Sequence, residues 1–327
     1  MTPASMKLAP AFAVLVALLS GAPARAADDY PARPITLIVP FAAGGSSDVI
    51  ARVVAEQVGV ALKQPILIEN MPGAGGSLAL TRAARANPDG YTIAIGNTGT
   101  NAAAYTIYPD LKYTADSFLP IGLVAKTSAI LAVKKDHVAK TLAEFVDYAK
   151  KNPGRATLGH AGIGSSNFIV CKTFIQAAAV DVTLVSYRGA APALNDLIGG
   201  QIDGVCDSTA SISSSVEGGQ VRGLAVATPA RLANLPNLPT AAEAGLPGFQ
   251  AQGWNAFFAP KGTPEPVIAK LNAALRTALS GDKLQKRFVD LGATVPSADE
   301  MSPDFTKALV ADDIVKLRKL LDGVKAN

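Results

Sequence analysis

Histidine, cysteine and tryptophan are scarce in this 327-residue sequence, which has two His, two Cys and one Trp. Two histidines are too few for a multi-His metal site, and no metal or other cofactor is expected. Charged residues make up only 17% of the chain, and no run of five like charges occurs. A nucleic-acid surface needs a concentrated basic stripe, so no nucleic-acid partner is expected either. The net charge of +4 includes Lys7 and Arg25, which lie in a leader described below, leaving +2 for the remainder. HExxH, CxxC, GxSxG and Walker motifs are all absent, which removes the common metalloprotease, redox, hydrolase and nucleotide readings. Gly73-Ala74-Gly75-Gly76-Ser77-Leu78 is not a dinucleotide fingerprint, and no acidic residue follows it at the required spacing. What the chain does have is apolar residues, 49% of the total. That is enough for two domains with their own cores and too much for a disordered chain.

The first 26 residues form an export signal. Lys7 precedes an apolar run from Leu8 to Leu19, interrupted by Pro10, and Ala24-Arg25-Ala26 supplies the small-residue cleavage site. The run falls short of the roughly 20 residues that span a bilayer. Cleavage after Ala26 is expected to leave a soluble, exported protein. No Cys lies near the cut, so no lipid anchor is expected. In that oxidising compartment Cys171 and Cys206 are expected to form a disulfide rather than remain two buried thiols. The bridge would close a loop of roughly 35 residues.

Strands and helices alternate. Ile35 to Val39 is β-branched and apolar, as a strand buried on both faces requires. Pro40 to Gly45 breaks it, and a helix follows with Ile50, Val53, Val54, Val58 and Leu62 on one face. Ile66 to Ile68, a Gly-rich turn and a second helix repeat the unit, and Thr92 to Ile95 adds a third strand ending in Gly96-Asn97-Thr98. The pattern restarts near residue 125. Thr141-Leu142-Ala143-Glu144 is a capping box, Thr157 to Gly162 and Val182 to Ser186 lead into Gly-rich turns, and Ile202 to Ser208 reads as another strand. Two helices, entered through Pro264 and Pro303, close the chain. They are too few to fold alone and pack back on the first unit. The expected architecture is α/β with parallel pairing, in two lobes: 27–125 with 251–327, and 126–250. The chain then crosses between lobes twice, which makes a hinge.

Four turns of small residues open helices: Ala43-Gly44-Gly45-Ser46-Ser47, Gly73 to Ser77, Gly162-Ile163-Gly164-Ser165-Ser166, and Arg188-Gly189-Ala190-Ala191. One such turn is ordinary helix capping. Four, at the carboxyl ends of strands in two facing units, point to an anion site in a cleft, because the first amides of a helix have no intrahelical acceptor. The turns contain no Lys, which suits a carboxylate better than a nucleotide. Phe41 either floors the pocket or staples the helix. Asp207 binds a ligand amine or hydroxyl, or caps a turn. Arg188 is a carboxylate clamp or an interlobe ion pair, and Tyr187 is open in the same way. His160 reads as a strand-end residue and Trp254 as hinge packing.

Several segments together resemble one family. They are Pro31-x-Arg33-Pro34 through Pro40-Phe41-x-x-Gly44-Gly45-x-x-Asp48, Glu69-Asn70-x-Pro72-Gly73-Ala74-Gly75-Gly76, Asn87-Pro88-Asp89-Gly90-Tyr91-Thr92, Tyr187-Arg188-Gly189-x-Ala191-Pro192, and Ala259-Pro260-x-Gly262-Thr263-Pro264. These are similar to the Bug family, periplasmic solute receptors of tripartite tricarboxylate transporters. The resemblance implies a two-lobe periplasmic-binding-protein fold of the Venus flytrap, class II-like type, with two crossovers. It also implies that one ligand carboxylate is gripped by the turns Phe41-Ala42-Ala43-Gly44-Gly45-Ser46-Ser47-Asp48 and Gly162 to Asn167, partly through water. Asn97, Thr98, Gly164, Ser165, Ser166, Tyr187, Arg188, Gly189, Ala190 and Asp207 complete the candidate set. Many relatives carry His at the position of Asn167, and some at that of Asn101, so the outer pocket of this chain departs from them.

The expected function is therefore capture of a small carboxylate, whether a di- or tricarboxylate, an aromatic acid or an acidic amino acid. The monomeric protein would deliver it to membrane permease subunits. The competing readings are a sensor that docks a membrane kinase and an exported hydrolase using Ser47 or Ser165, for which the sequence supplies no evident base.

Overall fold

The computed structural model describes residues 30–326; the leader and its cleavage site lie outside the described residues. Strand β1 (Ile35–Val39) sits between β2 (Ile66–Asn70) and β3 (Thr92–Asn97), all parallel. Helices α1 (Ser46–Leu62) and α2 (Ser77–Ala84) make the crossovers. After β3 a short π-type turn, Gly99–Ala103, runs into α3 (Ala104–Ile107).

A single 17-residue strand, β4 (Phe118–Lys134), then passes through both lobes. The sequence reading sees only its second half, Ala129 to Val133, because Pro120 and Gly122 interrupt the first. Here they sit at a register shift against β9 (Gln252–Pro260), where a lost donor and an extra bend are tolerated.

The second lobe follows. It consists of α4 (Leu142–Lys151), β5 (Thr157–His160), α5 (Ser166–Ala178), β6 (Thr183–Ser186), α6 (Ala190–Ile198), β7 (Gly204–Ser208), α7 (Thr209–Glu217) and β8 (Val221–Val226). The chain returns through β9, then α8 (Glu265–Leu279), α9 (Asp282–Asp290), β10 (Ala293–Thr294) and α10 (Pro303–Leu320). Helix α7 escapes the sequence reading because its Thr-Ala-Ser-Ile-Ser-Ser-Ser start has low helix propensity and reads as a loop. Helix α9 is short and strongly polar. The expected capping box of α4 is displaced. Thr141 accepts from the Glu144 amide, while the Glu144 carboxylate reaches back to the amide of Lys140 instead of Thr141.

Strand order is β2-β1-β3-β9-β4-β7-β5-β6, with β10 opposite β9 on the first half of β4 and β8 opposite β7 on its second half. Pairing changes lobes at two adjacent points. Ser128 pairs with Gln252 and Ala129 with Ser208, while the Ala251 amide bonds the Ala227 carbonyl of the second lobe. Both crossings are thus single extended steps lying side by side, which makes a hinge rather than a flexible linker.

Each sheet is covered on both faces, which explains the near-continuous apolar strands. In the first lobe, Ile35 and Leu37 pack on one side with Val54, Leu271, Leu275 and Phe288, and Ile38 packs on the other with Leu80, Trp254 and Phe258. The closing helices thus share the first lobe's core. In the second lobe Phe145, Leu158, Phe174 and Phe249 form one core layer, and Leu197, Val205, Ile212 and Leu238 the other. Cys171 on α5 and Cys206 on β7 are disulfide-bonded within the first of these layers, with Cα atoms 5.4 Å apart. The tip of α10 reaches across the lobes, where Leu317 and Leu321 pack with Ile107 and with Phe168 and Ile169 of α5.

Candidate ligand site between the lobes

Two helix starts face each other across the cleft. Helix α1 begins at Ser46 after the glycine turn, and its cap, Gly45, offers no side chain. Helix α5 begins at Ser166, and its cap, Ser165, accepts from the Phe168 amide. The Ser165 amide is tied to the Gly162 carbonyl at 3.0 Å. The first amides of both helices have no intrahelical acceptor and carry the positive end of the helix dipole.

Between them lies a cavity of about 30 Å³, room for a carboxylate group or about two waters. The first lobe contributes Phe41, Gly45, Ser46, Ser47 and Asn97. The second contributes Ala161, Ser166, Asn167, Ala190 and Ser208, and the hinge strands add Thr127, Trp254 and Asn255. Among the described residues no charged side chain lines it. The polar lining is pre-ordered. Asn97 accepts from the amides of Gly99 and Thr100 and donates to Ser47 Oγ at 3.2 Å, and Ser47 donates to Asn255 Oδ1 at 3.1 Å. An anion here meets oriented dipoles rather than a counter-charge, and those dipoles need little reorganisation.

Of the residues singled out from sequence, Phe41, Gly45, Ser46, Ser47, Asn97, Ser166, Asn167 and Ala190 line this cavity. Thr98 lines a larger one beside it. Ala42, Ala43, Gly44 and Asp48 shape the first turn. Burial pushes the Asp48 carboxyl up, but bonds from Arg52, the Gly44 amide and Asn70 outweigh that and hold it below its ordinary value. Gly162, Gly164 and Ser165 shape the second turn. The Gly162 amide donates to Nδ1 of His160, a buried ring that burial lowers to about 4, so it stays neutral as a strand-end group. Tyr187 donates to Asp196 at 2.7 Å, and exposed Arg188 and buried Gly189 flank it; none of the three lines either cavity. The turn at Gly73 to Ser77 lies outside the cavity as well. It abuts the second lobe, where a Cβ on Gly75 would overlap the Ile163 carbonyl. Sequence reasoning missed Thr127, Ala161, Ser208 and Asn255. Asn255, a polar residue inside the apolar run Trp254 to Ala259, was the one visible signal.

Asp207 is buried directly behind the site. Its Oδ1 accepts from Asn167 Nδ2, the Ser208 amide and Ser211 Oγ, each at 2.7 Å. Burial raises its pKa to about 6, against the pull of those donors. Its geometry is that of a positioning residue that aims Asn167. The ordinary value is 3.8, so between pH about 4 and 6 the folded state keeps a proton that the unfolded chain releases. Stability therefore falls as pH rises through that window and is flat above it. Asp207→Asn is expected to remove a decline of roughly 2 to 3 kcal/mol. Urea midpoints from pH 4 to 7 check this, and parallel pH profiles for both proteins would refute it.

Direct bonds already link the lobes. Ser46 Oγ donates to Ser208 Oγ at 2.9 Å, the Gly99 amide to Ser166 Oγ at 3.2 Å, and Tyr108 Oη to the Ile163 carbonyl at 2.7 Å. The jaws are closed on a small neutral pocket.

The family described as "Tripartite tricarboxylate transporter family receptor" matches residues 50–325. The chain belongs to this family. MatC from Rhodopseudomonas palustris, solved with bound malate, is 40% identical to the receptor, covers 90% of it and 100% of its own chain, and superposes with a TM-score of 0.86. The periplasmic binding protein BugD is 36% identical, covering 91% of this chain and 100% of its own, at a TM-score of 0.87. Another R. palustris protein, solved with adipate, is 31% identical over 90% of this chain and 97% of its own, at 0.86. The expected two-lobe fold and Bug-type kinship hold, and membership places the receptor in the periplasm. The family and these neighbours are receptors rather than enzymes. Ser47 bonds to Asn255 and Asn97, and Ser165 accepts from the Phe168 amide.

Proposed function

We propose that the receptor is exported with removal of residues 1–26 and captures a small organic carboxylate between lobes 27–125/251–327 and 126–250. It then presents the closed complex, as a monomer, to tripartite tricarboxylate-type permease subunits. The observation that carries this reading is the convergence of the α1 and α5 amino termini on one uncharged cavity. A shared anion adds donors from both lobes to the direct bonds that hold the jaws together, so binding and closure favour each other. Malate and adipate in two similar proteins support a carboxylate head group.

The test is a melting scan of the mature protein against mono-, di- and tricarboxylates, aromatic acids and acidic amino acids. A ligand at about 100 times its Kd adds about 2.7 kcal/mol, which is a shift of several degrees. If no acid shifts the melting point, the proposal fails.

A further inference from the structure

The cleft cavity is too small for a whole solute, and it does not end where the head group would. A second cavity of about 260 Å³ adjoins it. Thr127, Ser166, Asn167 and Ser208 line both and form the wall between them. The larger space runs along α5 from Ser166 to Thr173, with α10 on its far side from Asp313 to Leu320. Eight residues, seven rises of about 1.5 Å, make each wall about 10 Å long. Its lining is apolar at Ile169, Val170, Leu317 and Leu320 and carries two charged side chains, Asp313 and Lys316. Asp313 is committed inward, since its carboxylate accepts from Trp254 Nε1 at 2.7 Å. Lys316 is exposed, and no carboxylate among the described residues pairs with it. Among the described residues it is the sole cation lining either cavity.

Resting on the carboxylate reading above, we propose that the solute is an elongated acid with two anionic ends. Its first carboxylate sits at the helix starts, its apolar body lies along α5, and its second anionic group reaches Lys316. Lys316 is then a specificity-determining residue on a helix that follows the hinge rather than on either glycine turn. Backbone geometry, about 3.6 Å per three-bond residue, gives an extended chain about 1.2 Å per bond. A span of about 10 Å therefore needs about eight bonds, more than a four-carbon diacid provides.

Calorimetric titration of the mature protein with succinate, adipate, suberate and sebacate tests this, with octanoate as the one-headed control and terephthalate as the rigid aromatic arm. Affinity is expected to rise at least tenfold from succinate to suberate. Lys316→Gln should lower suberate affinity about tenfold, leave succinate and octanoate unchanged, and leave the ligand-free melting point unchanged. Lys319→Gln, on the same helix but outside both cavities, should change nothing. Terephthalate, whose carboxyl carbons are separated by fewer bonds than those of suberate, should bind more weakly than suberate, and tighter binding overturns the length argument. Succinate binding equal to or tighter than that of the longer acids, or a Lys316→Gln effect equal on octanoate and suberate, overturns the inference while the carboxylate reading stands. If none of these acids binds, but a short acid outside the series does, the inference alone falls. If no acid of any kind binds, both fall.

Discussion

Gly99→Ala is expected to leave both lobes folded and to weaken ligand binding by about 100-fold. Gly99 opens the short helix after β3 in the first lobe. A Cβ there would lie 2.5 Å from the Gly164 carbonyl oxygen and 2.6 Å from the Ser166 amide nitrogen. Both neighbours are backbone of the opposite lobe, so neither can swing aside, and the new methyl meets the second lobe before the jaws close. Within its own lobe the substitution is mild, because alanine is the better helix former. Holding the lobes apart forfeits the bonds Gly99–Ser166, Ser46–Ser208 and Tyr108–Ile163. At about 1 kcal/mol each, that is about 3 kcal/mol, or roughly 100-fold in Kd. Calorimetry with the tightest acid of the panel, alongside ligand-free melting, checks it. Unchanged affinity would mean that closure contributes nothing to binding. A lowered ligand-free melting point would mean that the methyl clashes inside one lobe instead.

The second large effect concerns the disulfide. Replacing Cys171 and Cys206 together by alanine is expected to lower stability by about 3 to 4 kcal/mol, since the bridge closes a loop 35 residues apart in sequence. For a protein of this size that is roughly 5 °C in Tm. The bridge joins α5, whose first turn carries Ser166 and Asn167, to β7, whose end carries Asp207 and Ser208. It therefore holds the second lobe's half of the site in register as well as its core. Thermal melts of the oxidised wild type, the wild type under reductant and the double variant should place the last two together, well below the first. Coincident melts would remove the claim.

How much of this is legible without coordinates differs by element. Helix α1 is written in the spacing of Ile50, Val54 and Val58, and all three are fully or almost fully buried. The glycine turns are legible because backbone that must approach a ligand or a facing lobe tolerates no side chain. Their separate uses are not legible. The turns at Gly44 and Gly164 flank the head-group cavity, whereas the one at Gly75 is a contact between jaws. No local pattern distinguishes a glycine facing solute from a glycine facing another chain segment. Arg188 shows the same limit from the side of charge. A guanidinium beside a glycine turn is chemically a fine carboxylate clamp, yet here it is exposed and outside both cavities.

Composition and order along the chain determined the architecture: alternating strand and helix, two units, two crossings, and helix starts left uncapped by charge. Tertiary packing alone decided which of those starts face one another, that Thr127 and Asn255 of the hinge strands enter the pocket, and that Lys316, far along the chain, lines the cavity beside it. The reason is physical. Periodicity and turn chemistry are local properties of a segment, whereas a binding cavity is defined by how separate segments meet. In this receptor that meeting is fixed by β4 running unbroken through both lobes and by α10 folding back across them.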